Sequence, residues 1–339
     1  MSEKRVHPAC VLSPGTASLW AVTSYFNPAS YRRRLANYKV FRRHLELPLL
    51  TVEWSRGGKF ELAPEDAEIL IQCDGGDVMW QKERLINIAI RQLPASCTHV
   101  AWVDCDVVFD HKGFAQALVS EFERSLLVQL YDRVLDLEPA PIDSLARSDD
   151  WRRTSVMHER VGTGRLYTEL RRSGGLGRLL KPRPEDRPFT VPSSNGFAWA
   201  AARTLLEACP LPDTWILGGG DGAYAYAAMG YADEHVRGRQ LTPAHALRHL
   251  EQAAILRQRV DGRVSWLPGA LLHLWHGAYS DREYRRRHAL LALHDYDPDA
   301  DLEPEPRTGV WSWSRRARDG ELAGAVAAYF ERRREDGSP

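Results

Sequence analysis

Asp104-Cys105-Asp106 closes the apolar run HVAWV and puts two carboxylates at the end of what reads as a buried strand. A strand terminus can hold such a pair rigidly, with the side chains facing a cleft beyond the sheet edge. Carboxylates in that position are costly unless a cation or hydrogen bonds compensate them. The D-x-D pattern alone is weak, since Asp295, Asp297, Asp299 and Asp301 repeat it three times in what reads as a solvated, Pro-containing turn. Position singles out the first copy. The plainer alternative is that one aspartate caps a helix starting near His111 and the other binds turn amides.

A second group is His273-Leu274-Trp275-His276-Gly277. Hard divalent ions prefer carboxylate and phosphate oxygens yet tolerate an imidazole, so two aspartates, one histidine and a diphosphate form an octahedral set for Mn²⁺ or Mg²⁺. On an apparent strand over residues 270–275 the two histidines point to opposite faces, leaving one to join the aspartates. His276, before Gly277, is the expected one; a packing histidine beside tryptophan is the alternative. The third group is Gly218-Gly219-Gly220-Asp221-Gly222, which delivers a carboxylate at a helix start. It lacks the GK[ST] of a P-loop and the strand–helix context of a dinucleotide fingerprint. Glycines around a carboxylate let an acceptor hydroxyl come close, so Asp221 is placed to take its proton as general base. A flexible turn capped by Asp221 is the competing reading.

The elements that must position these groups alternate strand and helix, the order of a largely parallel α/β sheet covered by helices. Strands are expected over residues 19–25, 48–53, 67–72 and 99–109, the last as one central strand. A basic helix follows over 31–45, and another over 79–93 with Asp77 as its N-cap and Pro94 at its end. Residues 138–187 are rich in Pro, Asp, Arg, Ser and Gly and read as a long, lid-like excursion. Strand and helix resume over 189–209, a helix follows the glycine turn, and a charged amphipathic helix lies near the end. Residues 1–303 are thus expected to form the catalytic domain and 304–339 a C-terminal helical appendage.

Lys plus Arg equals Asp plus Glu at 45 each, so the chain as a whole has no electrostatic pull toward nucleic acid or an anionic membrane. No apolar run approaches the ~20 residues of a membrane span, and the N-terminal residues show no signal-peptide core, so a cytoplasmic location is expected. Five cysteines with no CxxC pair argue against a disulfide framework and a structural zinc site.

The stretches VTSYFNP, DVMWQKERLINIAI running into VAWVDCDVVF, NGFAWAAARTLLE, GGGDGAYAYAAMG and LLHLWHG, in that order, resemble the GT-A glycosyltransferases, in particular bacterial relatives of the large inverting family. The resemblance implies a GT-A type fold with a mostly parallel, Rossmann-like sheet. It implies a hexosyltransferase that uses a nucleotide-sugar donor, UDP-sugar foremost, with Mn²⁺ or Mg²⁺, on a glycan, peptide, lipid or small-molecule acceptor. Asp106 is then the direct metal ligand and Asp104 lies nearer the donor ribose or sugar. His276, or failing that His273, completes the metal site, and Asp221 serves as base with inversion. Thr23 and Ser24 meet the nucleotide, Lys82 or Arg84 contacts its base or phosphates, and Asn195, Gly196 and Trp199 form the acceptor-side wall. Where the family carries an acidic pair, this chain has Gly220-Asp221. Two rivals stand beside this reading. A nucleotidyltransferase acting on sugar phosphates would show a Gly-rich basic signature near the first strand, which VTSYFNP lacks. A non-catalytic carbohydrate- or nucleotide-binding protein on the same fold would not need Asp104, Asp106, Asp221 and His276.

Overall fold

The apolar runs form strands whose side chains are buried on both faces, as a parallel sheet between helix layers requires. The computed structural model describes residues 18–110, 113–137, 153–155, 193–283 and 287–337. The main sheet is built from β1 (Ser18–Phe26), β2 (Leu49–Ser55), β3 (Ile69–Asp74), β4 (Cys97–Val103), β6 (Leu127–Gln129), β10 (Ala198–Ala202) and β11 (Val264–Trp266). Their order across the sheet is β11-β6-β10-β4-β1-β2-β3. β1 is parallel to β2 and β4, β2 to β3, and β11 to β6, while β10 is antiparallel to both its neighbours. This is a mostly parallel, helix-flanked α/β arrangement. The chain leaves β1 toward β3 and returns to β4 on the opposite side, so the crevice at the carboxyl ends of β1 and β4 is a topological switch point.

Alternation along the strands divides the core into two layers. Val100 and Trp102 of β4 pack with Leu85, Ile86 and Ala89 of α2 (Lys82–Gln92), while Ala101 and Val103 pack with Tyr38 and Phe41 of α1 (Arg32–His44). Trp199 of β10 lies opposite Trp102 and stacks on it at 6.4 Å, deep in the first layer.

A second, five-stranded sheet runs β5-β12-β7-β8-β9, with β5 (Val107–Phe109), β7 (Arg133–Asp136), β8 (Arg153–Ser155), β9 (Ser193–Ser194) and β12 (Ala270–His273). The single strand expected over 99–109 is therefore two strands in two sheets. The chain changes sheet at Asp104-Cys105-Asp106, where Asp104 N bonds to Phe197 O at 2.7 Å and Leu274 N to Asp106 O at 2.8 Å. The excursion expected over 138–187 lies, apart from 153–155, outside the described residues.

Asp77 is not a helix cap. Gln81 occupies that position, and Asp77 Oδ2 instead accepts from Trp313 N in the strand Trp311–Trp313, while its own amide bonds Trp311 O. The aspartates at 295–301 do cap a short helix: Asp297 Oδ1 accepts from Asp299 N, but Asp301 is buried, because its carboxylate closes the same turn on Asp297 N. Residues 304–339, read from the sequence as an appendage, contain the helix Leu322–Glu331, whose Val326, Tyr329 and Phe330 belong to the main core. Phe330 packs edge-on against Phe26 at 5.4 Å and stacks on Trp80 at 6.5 Å. Phe330→Ala should therefore lower unfolding free energy by about 3–5 kcal/mol in urea titrations. A loss below about 1 kcal/mol is what a solvated appendage would give.

Candidate active site

Strand register assembles the site. In the second sheet His273 pairs with Val107 on one side and with Asp136 on the other, which sets His273 next to Asp106 and leads the chain into the turn carrying His276. His276 Nε2 lies 3.1 Å from Asp106 Oδ2 and 3.2 Å from His273 Nε2. One ligand atom from each of Asp106, His273 and His276 lies within 4.8 Å of the other two. Both histidines take part, contrary to the expected choice of one. The strand ends at His273, so face alternation does not extend to His276.

This donor set suits a divalent ion of borderline hardness, one carboxylate and two imidazoles. Asp106 Oδ1 is buried and has no hydrogen-bond partner among the described residues, an open acceptor where a cation fits. Burial alone would raise the Asp106 pKa, but His276, His273 and Arg34 outweigh it and hold the carboxyl well below its ordinary range.

Asp104 does not join the triad. Lys82 Nζ sits between Asp104 Oδ1 and Asp221 Oδ2, 2.6 Å from each. Burial foremost, then the neighbouring Asp221 and Asp106, push the Asp104 pKa up against the pull of Lys82. Buried between two carboxylates, Lys82 itself holds its proton well above the ordinary lysine value.

Triad, Lys82, Asp104 and Asp221 all line one cavity of ≈ 300 Å³ at the switch point. Ser24, Asn195 and Gly196 line it as well. Thr23 does not: it is fully buried and donates to Val103 O at 2.6 Å, because neighbouring strand residues face opposite ways. Arg84 is also elsewhere, its Nε on Gly309 O at 2.6 Å and its guanidinium 4.0 Å over Trp311, since residues 82 and 84 of one helix point apart. Trp199 stays behind the wall and donates its Nε1 proton to Asn195 O at 2.9 Å.

Phe197 is a site residue that sequence reasoning missed. Its backbone is left-handed at φ 75°, a strained state for an aromatic residue, and its ring packs 4.7 Å from His273 while its carbonyl holds Asp104 N. Asp136 and Glu335, which lie behind the two triad histidines, were missed as well; neither belongs to a motif, and only pairing and tertiary contact reveal them.

No family model and no curated protein matches this chain. Solved structures similar to it include glucosyl-3-phosphoglycerate synthase from Mycobacterium tuberculosis in complex with Mn²⁺, uridine-diphosphate-glucose and phosphoglyceric acid. It is 13% identical, with 89% of this chain and 88% of that chain covered and a TM-score of 0.38. TarS from S. aureus is 10% identical over 82% of this chain and 41% of that chain, with a TM-score of 0.35. A 4-diphosphocytidyl-2C-methyl-D-erythritol synthase from Anaerococcus prevotii is 10% identical over 76% of this chain and 90% of that chain, with a TM-score of 0.34. Likeness at this level carries no argument about chemistry, which rests on the side chains described above. Among the described residues, no helix is long and apolar enough to cross a membrane.

Beneath the glycine turn lies a cluster of four buried histidines. The rings of His235, His245, His249 and His288 surround Trp215 at 5.0 to 5.3 Å. A Cβ on Gly219, which has φ 108°, would lie 3.2 Å from both His288 Nε2 and the Trp215 ring, so the turn sits directly on this cage. None of the eight ring nitrogens has a hydrogen-bond partner among the described residues. Burial above all lowers their proton affinity, His245 to about 3, His249 to about 4, and His235 and His288 well below the ordinary value. In the unfolded chain they titrate near pH 6.5. The stability linked to them is therefore complete above that pH and is lost as pH falls toward the folded values. Urea unfolding should show a stability that declines from pH 7 to pH 5. His245→Gln should lose about 1.5 kcal/mol less than the parent between pH 6.5 and pH 5. An identical decline in both proteins would mean that His245 is hydrated in the fold.

Proposed function

We propose that this protein is a glycosyltransferase which moves a sugar from a nucleoside-diphosphate sugar, a UDP-sugar foremost, onto an acceptor hydroxyl with inversion. The observation that carries the reading is the triad of Asp106, His273 and His276 sharing one switch-point cavity with Asp221. Six basic and three acidic side chains line that cavity, with Glu335 behind two of the arginines, although the chain as a whole is neutral. Such a lining suits a polyanion such as a diphosphate.

Asp106, His273 and His276 would hold Mn²⁺, whose tolerance of imidazole fits this donor set better than the oxygen preference of Mg²⁺. A divalent ion there supplies Lewis-acid neutralisation of the charge that develops on a departing diphosphate. The rest falls to the chain's own groups. Ser24, at the carboxyl end of β1, borders the crevice where a nucleotide lies in open α/β sheets. Lys82 fixes Asp104 and Asp221 relative to each other through its two short ion pairs. Asp221, next to the close-approaching Gly196, orients the acceptor hydroxyl and takes its proton as the new bond forms. A base on the face opposite the leaving group gives inversion.

The test is a panel of UDP-, GDP- and TDP-sugars with Mn²⁺, scored for release of nucleoside diphosphate and for its suppression by EDTA. Asp221→Asn should lower kcat by about 10²–10⁴-fold with little change in donor affinity. Asp106→Ala should remove the Mn²⁺ dependence. Release that is equal in Asp106→Ala and parent would reject the metal centre, and a product anomer of retained configuration by NMR would reject Asp221 as base.

A further inference from the structure

Each triad histidine has a carboxylate behind it. His273 turns Nε2 toward the triad and Nδ1 to Asp136 Oδ1 at 2.6 Å. His276 likewise turns Nε2 toward Asp106 and His273, and its Nδ1 lies 3.6 Å from Glu335 Oε2. A neutral imidazole has a lone pair on one nitrogen only, so a ring that offers Nε2 to a cation carries its proton on Nδ1. A carboxylate beside Nδ1 favours that tautomer, through a hydrogen bond at Asp136 and through its charge at Glu335, whose 3.6 Å approach is beyond hydrogen-bond reach.

Glu335 is built into place. Its side chain is 2% exposed, with Arg34 Nε and Nη2 at 2.5 and 2.9 Å and Arg333 Nε at 2.7 Å. The segment that carries it is tied to the start of α1 by bonds at residues 330, 331, 334 and 336. Asp336 accepts from Arg32 N and Arg33 N at the start of α1, and the Tyr31 hydroxyl shares its one proton between the carbonyls of Phe330 and Glu331 and accepts from Arg334 N. Gly277, directly after His276, has φ 89°, and a Cβ there would lie 2.8 Å from Arg334 O. Only glycine lets the C-terminal segment pass so close behind the histidine. Two buried arginines on one carboxylate exceed what is needed to end a helix; they hold an anion at a chosen point.

We propose that Glu335 is a positioning residue which sets the tautomer of His276, so that the metal affinity of the centre depends on the C-terminal segment. This rests on the reading of the triad as a metal centre. The experiment titrates the full-length protein with Mn²⁺ alone, without nucleotide sugar, and follows free Mn²⁺ by electron paramagnetic resonance. Glu335→Gln should weaken Mn²⁺ binding about 10–100-fold. In a His276→Asn background the same exchange should change affinity by less than about twofold, because the effect passes through His276. Should Glu335→Gln fail to fold, the Arg34→Gln/Arg333→Gln/Glu335→Gln variant, which also removes both stranded guanidinium groups, replaces it with the same expectations. If the parent binds no Mn²⁺, the metal reading falls and takes the proposal with it. Suppose instead that the parent binds and Asp106→Asn does not. Then Glu335→Gln binding as tightly as the parent, or weakening equally with and without His276, overturns the proposal alone.

Discussion

A strand register holds the functional region together. β12 is four residues long and is paired on both sides, so His273 cannot slip without leaving both Val107 and Asp136. A one-residue shift would turn His273 to the opposite face and separate it from Asp106. Such short strands define a register weakly on their own, and the structure reinforces this one from outside. Phe197 packs its ring on His273 while its carbonyl holds Asp104 N, which pins the end of β4 in the main sheet to the end of β12 in the second. The left-handed backbone of Phe197 is the strain that this connection carries.

Charge is handled by the same principle of local neutrality. Carboxylates and cations taken out of water are tolerable only in close pairs. Lys82 answers Asp104 and Asp221, while Arg34 and Arg333 answer Glu335. Asp106 is the exception. Its close partners are two imidazoles, with Arg34 acting only from farther off, which separates it from Asp104 although only Cys105 lies between them. The two aspartates of the D-x-D tripeptide therefore do different work: one orders the Lys82 bridge and the other remains available to a ligand.

Local patterns carried much of this into the sequence. A buried apolar run ending in carboxylates located the crevice, because apolar strands and charged termini obey burial rules that need no partner. The same run concealed its own break: VVF after Asp106 looks as strand-like as HVAWV before it, and only pairing with β12 shows that it belongs to another sheet. Two further distinctions were legible in principle. Thr23 and Ser24 are adjacent on a strand, and Lys82 and Arg84 are two apart on a helix, so in each pair only one side chain can reach the cavity. Asp136, Glu335 and the histidine cage were not legible, since their meaning lies in tertiary contacts that no local pattern announces: His273 with Asp136, His276 with Glu335, and histidines of separate helices round Trp215.

Those long separations have an energetic consequence. The triad, its two backing carboxylates and Arg34 come from positions 34 to 335, so in an unfolded chain they form no site at all. Whatever free energy a cation gains from the assembled group is then free energy of folding, expressed only by the native state. The histidine cage acts in the opposite direction. Its buried, unpartnered nitrogens cost stability beneath the glycine turn that presents Asp221, and the cost grows as protons become available. The carboxylate that would work on an acceptor thus rests on a histidine cage that protonation destabilises, while the ion-binding half is clamped by the C-terminal segment and its two arginines.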